Sequence, residues 1–221
     1  MPFADRDLEY LEGVHAPMGP VLTEMLEVGR AEKIPILQPS AGRFLRVLVM
    51  AVAPKRVLEI GTAIGFSTLW IAGALAEGAR IDTIDPDRAR TDRARRYWLR
   101  AGVTDKIRVI NEPALRVLPR LAPGIEFAFI DAIKTEYIAY LDGLLPKMAA
   151  GGVITADNVL WSGRIAAGDR DEDSAALRAF NEYFLHHGQL AATVLPVVDG
   201  PAVGVVRPPS GDSRHLTSLP C

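Results

Sequence analysis

The spacing of apolar residues changes along the chain and predicts two kinds of structure. In the amino-terminal part, apolar positions recur at helical intervals within residues 7–12, 20–33 and 42–52. From Lys55 onward, short apolar runs alternate with helical stretches, which is the pattern of a parallel sheet buried on both faces. These runs cover residues 56–60, 80–84, 107–110, 126–130 and 152–156. We therefore predict a doubly wound α/β fold that follows a helical preface in residues 1–54.

The segments that follow these runs extend the prediction. Residues 87–101 give the clearest helical pattern, and a last helix is predicted over residues 174–186. Segments 191–198 and 202–207 flank Asp199-Gly200-Pro201, which is typical of the turn between two antiparallel strands. We expect this hairpin to lie at one edge of the sheet.

Composition indicates a globular protein that acts on a small partner. Of the 221 residues, 49% are apolar, and we expect one domain over residues 1–207 with a loosely held tail in residues 208–221. The net charge is -2, so no broad positive surface is expected for nucleic acid or an anionic membrane. No apolar run approaches the roughly 18 residues that span a bilayer, and no secretory signal is seen, so a cytoplasmic location is expected. Cys221 is the single cysteine, so oxygen or imidazole ligands would hold any metal.

The loop after the first apolar run has features of a ligand site. Gly61 and Gly65 let the backbone approach a ligand closely, and the helix that begins near Phe66 offers free N–H groups to an anion. Their spacing differs from the Gly-x-Gly-x-x-Gly motif of dinucleotide sites, which disfavours a nicotinamide-dependent dehydrogenase. Glu59 suits a ligand with a cationic end, such as the amino group of a methionine moiety. The alternative is a tight strand-to-helix turn beside a solvated glutamate.

The second apolar run ends at Asp85, where a carboxylate can accept hydrogen bonds from both ribose hydroxyls of a nucleoside. The alternative role for Asp85 is to cap the next helix, a role that Asp87 could equally take. Together with the first loop, this position points to a ligand that contains adenosine.

Carboxylates follow two further apolar runs. Asp131 ends the fourth run, with Lys134 close behind it, and Asp157-Asn158 ends the fifth. Because strands one, four and five meet near the centre of such a sheet, these side chains can converge. Three oxygen donors fit a hard cation such as Mg²⁺, and the absence of histidine from both segments argues against zinc. Singly, each residue has an ordinary alternative as a helix cap, a turn former or a solvated charge.

At this point the chain resembles the cation-dependent O-methyltransferases, the family of catechol and caffeoyl-coenzyme A methyltransferases, in its small bacterial branch. The resemblance runs from about Leu8 to Arg207 and rests on residues 57–67, on Asp131-x-x-Lys134 and on residues 156–164. It implies a class I, Rossmann-like methyltransferase fold, with a mostly parallel seven-stranded sheet and an antiparallel edge hairpin. It also implies S-adenosylmethionine as the methyl donor and a homodimer.

The resemblance implies roles for individual residues as well. Lys134 would be the catalytic base. Asp131, Asp157 and Asn158 would bind Mg²⁺ or another divalent cation such as Mn²⁺ or Ca²⁺, and Asp131 would also be catalytic. The implied cofactor contacts are Leu37, Glu59, Gly61, Gly65, Ser67, Asp85, Ala114 and Asp131. The candidates for walls around the methyl group and the aromatic ring are Phe66, Ile133 and Trp161.

The chain departs from the family pattern at three places. Ile133 stands where family members often carry an acid, although the animal catechol enzymes also lack it. Glu112-Pro113 replaces the usual Gly-Asp, so Glu112 is the candidate substitute for an adenine-binding acid and we expect weaker or rearranged adenine binding. Asp85 aligns only with one extra residue in the preceding loop.

The sequence thus predicts transfer of a methyl group to a hydroxyl of a small catechol-like or phenylpropanoid substrate, whose vicinal oxygens bind the metal. A first alternative is methylation of a hydroxylated uridine in transfer RNA. Its only motivation is the set of arginines at positions 88, 90, 93, 95, 96 and 100, for which a solvated helix face is the competing explanation. A second alternative, from another class, is a non-catalytic cofactor-binding or interaction protein.

Overall fold

The computed structural model describes residues 5–197 and 199–208. Its helices are α1 (Asp5–Val14), α2 (Pro20–Ala31), α3 (Pro39–Val52), α4 (Phe66–Ala72), α5 (Arg88–Arg100), α6 (Ala114–Val117), α7 (Tyr137–Leu144), α8 (Arg164–Ala167) and α9 (Glu172–His186). The predicted helical preface is confirmed. Helix α3 begins at Pro39, earlier than predicted, because proline suits the first helical turn, where its missing N–H costs no hydrogen bond.

The strands agree closely with the apolar runs. They are β1 (Arg56–Ile60), β2 (Arg80–Ile84), β3 (Ile107–Ile110), β4 (Ile125–Ile130), β5 (Met148–Ala156), β6 (Leu190–Val194) and β7 (Ala202–Val206). Strand β5 begins at Met148 rather than Gly152, because Met148 already pairs with Ile125 of β4, before a shift in register that precedes the buried run. Most of the predicted tail, from residue 209 onward, and Val198 of the predicted hairpin lie outside the described residues.

The strands form one seven-stranded sheet in the order β3-β2-β1-β4-β5-β7-β6. The first five strands are parallel, whereas β7 runs antiparallel to both β5 and β6. This confirms the predicted fold class and the edge hairpin. The carboxyl ends of β1, β4 and β5 therefore lie side by side. Because Ala202 pairs with Ala156, the hairpin turn also lies at the carboxyl end of β5.

Hydrophobic side chains cover both faces of the sheet. Leu58 and Ile60 of β1 point into a core formed with α6, α7 and α9, whereas Val57 points into a core formed with α2, α3, α4 and α5. The amino-terminal helices are thus one of the layers that bury the sheet. Within the described ranges, no helix combines the length and the apolar character needed to cross a membrane.

Candidate active site

The loop after β1 is shaped by two glycines with positive φ. Gly61 has φ 102°, and a side chain there would overlap the backbone carbonyl of Asp131, so this position brings the ends of β1 and β4 together. Gly65 has φ 83° and leaves space for Trp98, whose indole N–H donates to the Gly65 carbonyl at 3.1 Å. Both glycines therefore allow close packing within the protein.

Glu59 is completely buried beneath this loop. One carboxylate oxygen accepts hydrogen bonds from the hydroxyls of Thr68 at 2.5 Å and Thr83 at 2.6 Å, and the other has no hydrogen-bond partner among the described residues. Burial raises the pKa of Glu59 to about 7, because the charged form loses its hydration. The alternative of a solvated glutamate is therefore wrong.

Asp85 joins the loops that follow β1 and β2. One carboxylate oxygen accepts from the Ala63 N–H at 2.8 Å and the other from the Asp87 N–H at 2.9 Å. The cap of α5 is Asp87, which accepts from the Arg90 N–H at 3.0 Å, so the capping alternative for Asp85 is wrong. Asp85 is thus held in a fixed orientation at the carboxyl end of β2.

Asn111, which sequence reasoning missed, supports this corner of the site. Its side-chain amide donates to the Asp85 carbonyl at 2.9 Å and to the Thr91 hydroxyl at 2.8 Å, and so connects the ends of β2 and β3 with α5. The sequence feature that could have identified Asn111 is its position as the polar residue directly after the third apolar run.

Lys134 lies at the centre of the predicted carboxylate cluster, and its side chain is only 8% exposed. Its Nζ donates to Asp131 Oδ1 at 2.9 Å, to the Tyr137 hydroxyl at 2.5 Å and to Asn158 Oδ1 at 3.3 Å. The structure therefore brings Asp131, Lys134 and Asn158 together as predicted. The alternative of a solvated lysine is wrong.

Asp157 completes this cluster from the end of β5. Its carboxylate is nearly buried, and Oδ1 has no hydrogen-bond partner among the described residues. Burial, followed by the negative charge of Asp131, raises the pKa of Asp157 above its ordinary range, while Lys134 opposes the shift. A buried carboxylate with an unpartnered oxygen is unfavourable unless a proton or a cation reaches it.

The donors in this cluster fit a hard cation. They are two carboxylates and one amide oxygen, which is a ligand set that Mg²⁺ accepts. In the described part of the chain, no three His, Cys, Asp or Glu side chains are grouped so that they could hold a metal, so any site here needs the Asn158 amide.

Tyr137 was also missed by sequence reasoning. It is fully buried, accepts from Lys134 and donates from its hydroxyl to the Asp157 carbonyl at 3.1 Å. Burial raises the pKa of Tyr137 well above its ordinary value, so the hydroxyl stays protonated. The sequence feature that could have identified Tyr137 is its position three residues after Lys134, because this spacing places two side chains on one side of a helical turn.

Residues 157–163, which we call the β5 loop, lie over this cluster. The Trp161 ring centroid is 5.6 Å from Lys134 Nζ, and its indole N–H is buried without a partner among the described residues. Ile133 is 56% exposed beside Lys134. Asp199, missed earlier except as a turn residue, accepts a hydrogen bond from the Asn158 side chain at 3.1 Å. Trp161, Ile133 and Asp199 thus all lie near the cluster.

The remaining predicted site residues are all buried but lie in different elements. Ser67 and Ala114 are buried at the starts of α4 and α6. Leu37 is buried in the core beneath α2 and α3. Phe66 is buried in that core with its ring edge-on to Trp70, centroids 6.3 Å apart, which favours ordinary packing over a role as a substrate wall.

Glu112, the candidate acid for binding adenine, forms an ion pair with Arg120 at 2.7 Å. Its carboxylate is therefore shared with a neighbouring cation on the protein surface. Weaker or rearranged adenine binding stays a prediction.

Known proteins resemble this chain in sequence and structure. A family model described as O-methyltransferase matches residues 15–206. A catechol O-methyltransferase of Mycobacterium tuberculosis is 37% identical over 196 residues, 85% of this chain and 89% of that protein. A caffeoyl-CoA O-methyltransferase of Populus kitakamiensis is 35% identical over 161 residues, 71% of this chain and 68% of that protein. The structure of an O-methyltransferase from Bacillus cereus in complex with SAH superposes with a TM-score of 0.82 at 32% identity, covering 90% of this chain and 96% of that chain.

Proposed function

The chain belongs to the O-methyltransferase family that includes catechol and caffeoyl-coenzyme A enzymes, and from this premise we propose that it methylates a small catechol-like or phenylpropanoid diol with a divalent cation. The family resemblance and the S-adenosylmethionine-dependent O-methyltransferase activity predicted from the sequence are confirmed. The observation that carries the proposal is the convergence of Asp131, Lys134 and Asp157 with Asn158 at adjacent strand ends.

Asp131, Asp157 and Asn158 are the residues that would hold the cation. When bound, a divalent ion such as Mg²⁺, Mn²⁺ or Ca²⁺ supplies Lewis acidity to the two vicinal oxygens of the diol. The unpartnered Oδ1 of Asp157 supports this assignment, because a cation would satisfy a buried carboxylate oxygen that has no hydrogen-bond partner among the described residues. The position of the Lys134 ammonium between Asp131 and Asn158 supports it further, since positive charge is already favoured there.

Lys134 would take the proton of the substrate hydroxyl at Nζ, once it has released one of its own. Tyr137 holds Nζ in place for this transfer, because its protonated hydroxyl accepts from Lys134 while it donates to the Asp157 carbonyl. Trp161 and Ile133 would pack against the aromatic ring of the substrate. Since no covalent bond to the enzyme is needed, orientation of the two reactants is expected to dominate the rate enhancement.

The loops after β1 and β2 would bind S-adenosylmethionine, which supplies the methyl group. Each Asp85 oxygen accepts one backbone N–H and keeps a second lone pair for a ribose hydroxyl. The unpartnered Glu59 oxygen beneath the loop supports a role toward the amino group of the cofactor. Gly61, Gly65, Ser67, Ala114 and Leu37 are proposed to complete the pocket.

The arginines of α5 do not favour the RNA alternative. Arg93 pairs with Glu32 at 2.6 Å and Arg100 with Glu24 at 2.5 Å, which joins α5 to the end and the middle of α2. Arg90 and Arg95 pair with aspartates on their own helix turn. Since four of the six arginines are neutralised by neighbouring acids, we retain the small diol as the substrate class.

A substrate screen tests the proposal. Catechols, caffeoyl esters and flavonoids are incubated with labelled S-adenosylmethionine, with and without a chelator, for the wild-type chain and Asp157→Ala. We expect diol methylation that the chelator abolishes, and no turnover by Asp157→Ala. Turnover that neither the chelator nor the substitution affects would overturn the metal assignment, and binding of the cofactor without methylation of any diol would overturn the substrate class.

The expected homodimer is a proposal that rests on family resemblance. Light scattering from the purified chain tests it, and a monomeric mass at micromolar concentration would contradict it.

A further inference from the structure

The turn between β6 and β7 contacts the β5 loop directly. We call residues 195–201 the hairpin turn, of which Val198 lies outside the described residues. Two backbone bonds join the segments: the Val159 N–H donates to the Gly200 carbonyl at 3.3 Å and the Leu160 N–H to the Asp199 carbonyl at 3.1 Å. A side chain at Gly200 would overlap Leu160, so the two segments lie in close contact.

The Asp199 side chain adds two further bonds to the β5 loop. One carboxylate oxygen accepts from the Ser162 backbone N–H, and the other accepts from the Asn158 side-chain amide at 3.1 Å. Both atoms belong to residues with left-handed backbones, since φ is 59° at Asn158 and 52° at Ser162. Residues other than glycine rarely adopt this conformation unless surrounding contacts hold them there. Asp199 supplies one such contact at Asn158 and one at Ser162.

The bond to Asn158 also decides which way its amide points. An amide carries an NH₂ donor on one side and an oxygen acceptor on the other, whereas a carboxylate only accepts. Because Asp199 takes the NH₂ side, the oxygen of Asn158 is turned toward Lys134 Nζ, 3.3 Å away. The Asn158 oxygen therefore faces the carboxylate cluster.

We propose that Asp199 is a positioning residue that orients the Asn158 amide oxygen toward the metal site and holds the β5 loop in its left-handed conformation. The inference rests on the proposed function, since Asn158 is one of the proposed metal ligands. Partners that orient metal ligands are substantial contributors to affinity, and their loss typically weakens metal binding by about 10–100-fold.

Two substitutions of Asp199 separate orientation from charge and packing. In Asp199→Asn, one carboxylate oxygen becomes an NH₂ group. This NH₂ must then face one of the two present donors, either the Ser162 backbone N–H or the Asn158 side-chain NH₂. The Ser162 N–H is part of the backbone and cannot rotate, whereas the Asn158 amide can flip, which would turn its oxygen away from the cluster. In Asp199→Ala, no new donor is added and water can replace the carboxylate. Both variants lose the same charge, so a difference between them does not arise from net electrostatics.

The test is a calorimetric titration of the full chain with Mn²⁺ alone, after thermal unfolding has shown that each variant is folded. We expect Asp199→Asn to weaken Mn²⁺ affinity by about 10–100-fold and Asp199→Ala by less. Asp142→Asn is the matched control, because Asp142 is an exposed carboxylate that accepts from the Tyr183 hydroxyl on α9, and it should bind Mn²⁺ like wild type.

Four outcomes would count against the inference. Equal affinities of Asp199→Asn and wild type would overturn it while leaving the metal proposal intact. A larger loss in Asp199→Ala than in Asp199→Asn would overturn the orienting role. A wild-type chain that does not bind Mn²⁺ would overturn the metal proposal and this inference with it. Should Asp199→Asn not fold, wild-type affinity in Asp199→Ala would overturn the inference.

Discussion

The loop after β1 and the β5 loop lie at the same edge of the sheet but are stabilised in different ways. In the β1 loop, glycines occupy two of the left-handed positions, at Gly61 and Gly65. In the β5 loop, one glycine, Gly163, is joined at left-handed positions by three other residues, Asn158, Trp161 and Ser162, whereas the β1 loop has one such non-glycine residue, Ala63. The first loop thus has much of its conformation built into its own residue types, whereas the second depends on contacts from a distant turn.

The two loops also differ in how many of their buried polar atoms have hydrogen-bond partners. Asp85, beside the β1 loop, has a backbone N–H donor for each carboxylate oxygen. In the β5 loop, Asp157 Oδ1 and the Trp161 indole N–H are buried without partners among the described residues. Buried polar groups are normally satisfied, so unsatisfied ones grouped at a strand edge call for an explanation such as a bound water, ion or ligand. The comparison indicates a cofactor corner that is largely preformed, apart from the unpartnered Glu59 oxygen, beside a metal and substrate corner that ligands complete.

The largest expected effect comes from removing Lys134, the proposed base of the metal and substrate corner. Lys134→Met should lower turnover by about 10²–10⁴-fold, the usual contribution of a general base, and leave binding of S-adenosylmethionine unchanged. Steady-state kinetics and calorimetry measure the two quantities. Lys147→Met, which changes a lysine that donates to the Pro119 carbonyl on the surface, is the control. Turnover within tenfold of wild type would refute the assignment of Lys134 as the base.

A side chain at Gly61 should disrupt the contact between the two corners. Gly61→Ala forces a positive φ onto alanine and drives its Cβ into the Asp131 carbonyl, so we expect a loss of at least about 3 kcal/mol in the free energy of unfolding. Gly78→Ala is the matched control, because Gly78 has φ 77° with open space around it, and it should lose only about 1 kcal/mol. Chemical denaturation measures both, and equal losses would show that the contact with Asp131 is unimportant.

Burial of Glu59 should make stability depend on pH. Its pKa is raised from 4.5 to about 7 in the folded chain, so the folded state binds more protons than the unfolded state between these values. The stabilising contribution of protonated Glu59 is fully present below pH 4.5 and is lost as the pH rises through about 7.

Glu59→Gln removes this titration. Relative to the variant, wild-type stability should fall by about 3 kcal/mol between pH 4.5 and pH 8, as denaturation at a series of pH values would show. Glu77→Gln, at an exposed glutamate, should keep the wild-type dependence. Parallel pH curves for wild type and Glu59→Gln would contradict the raised pKa.

The smallest expected effect tests how rigid the cofactor corner is. Asp85→Asn places an NH₂ against one of two backbone N–H donors, so we expect a loss of about 1–2 kcal/mol in stability and weaker binding of S-adenosylmethionine. Asp82→Asn, on the preceding strand β2, breaks only a surface ion pair with Arg108 and should cost below about 1 kcal/mol. Equal cofactor affinity in wild type and Asp85→Asn would remove Asp85 from the proposed pocket.

Local sequence predicted most of the fold and part of the site. The strands were recognised because each is a short apolar run buried on both faces, as at Val57 and Leu58 in β1. The cluster of Asp131, Lys134 and Asn158 was anticipated because parallel strands end at one edge of the sheet. The role of Phe66 could not be decided from the sequence because an aromatic residue beside a ligand loop can equally pack inward, and the structure packs it against Trp70.

The sequence by itself determined the parallel sheet, the residue types at its carboxyl edge and the family. Only the tertiary structure decided that Glu59 is buried, that Tyr137 holds Lys134 and that Asp199 holds Asn158 from 41 positions away. The physical reason is that hydrophobic periodicity and strand ends are properties of short segments. The pairing of the Asp199 carboxylate with the Asn158 amide depends instead on β7 running antiparallel beside β5, a contact between distant segments that no local pattern specifies.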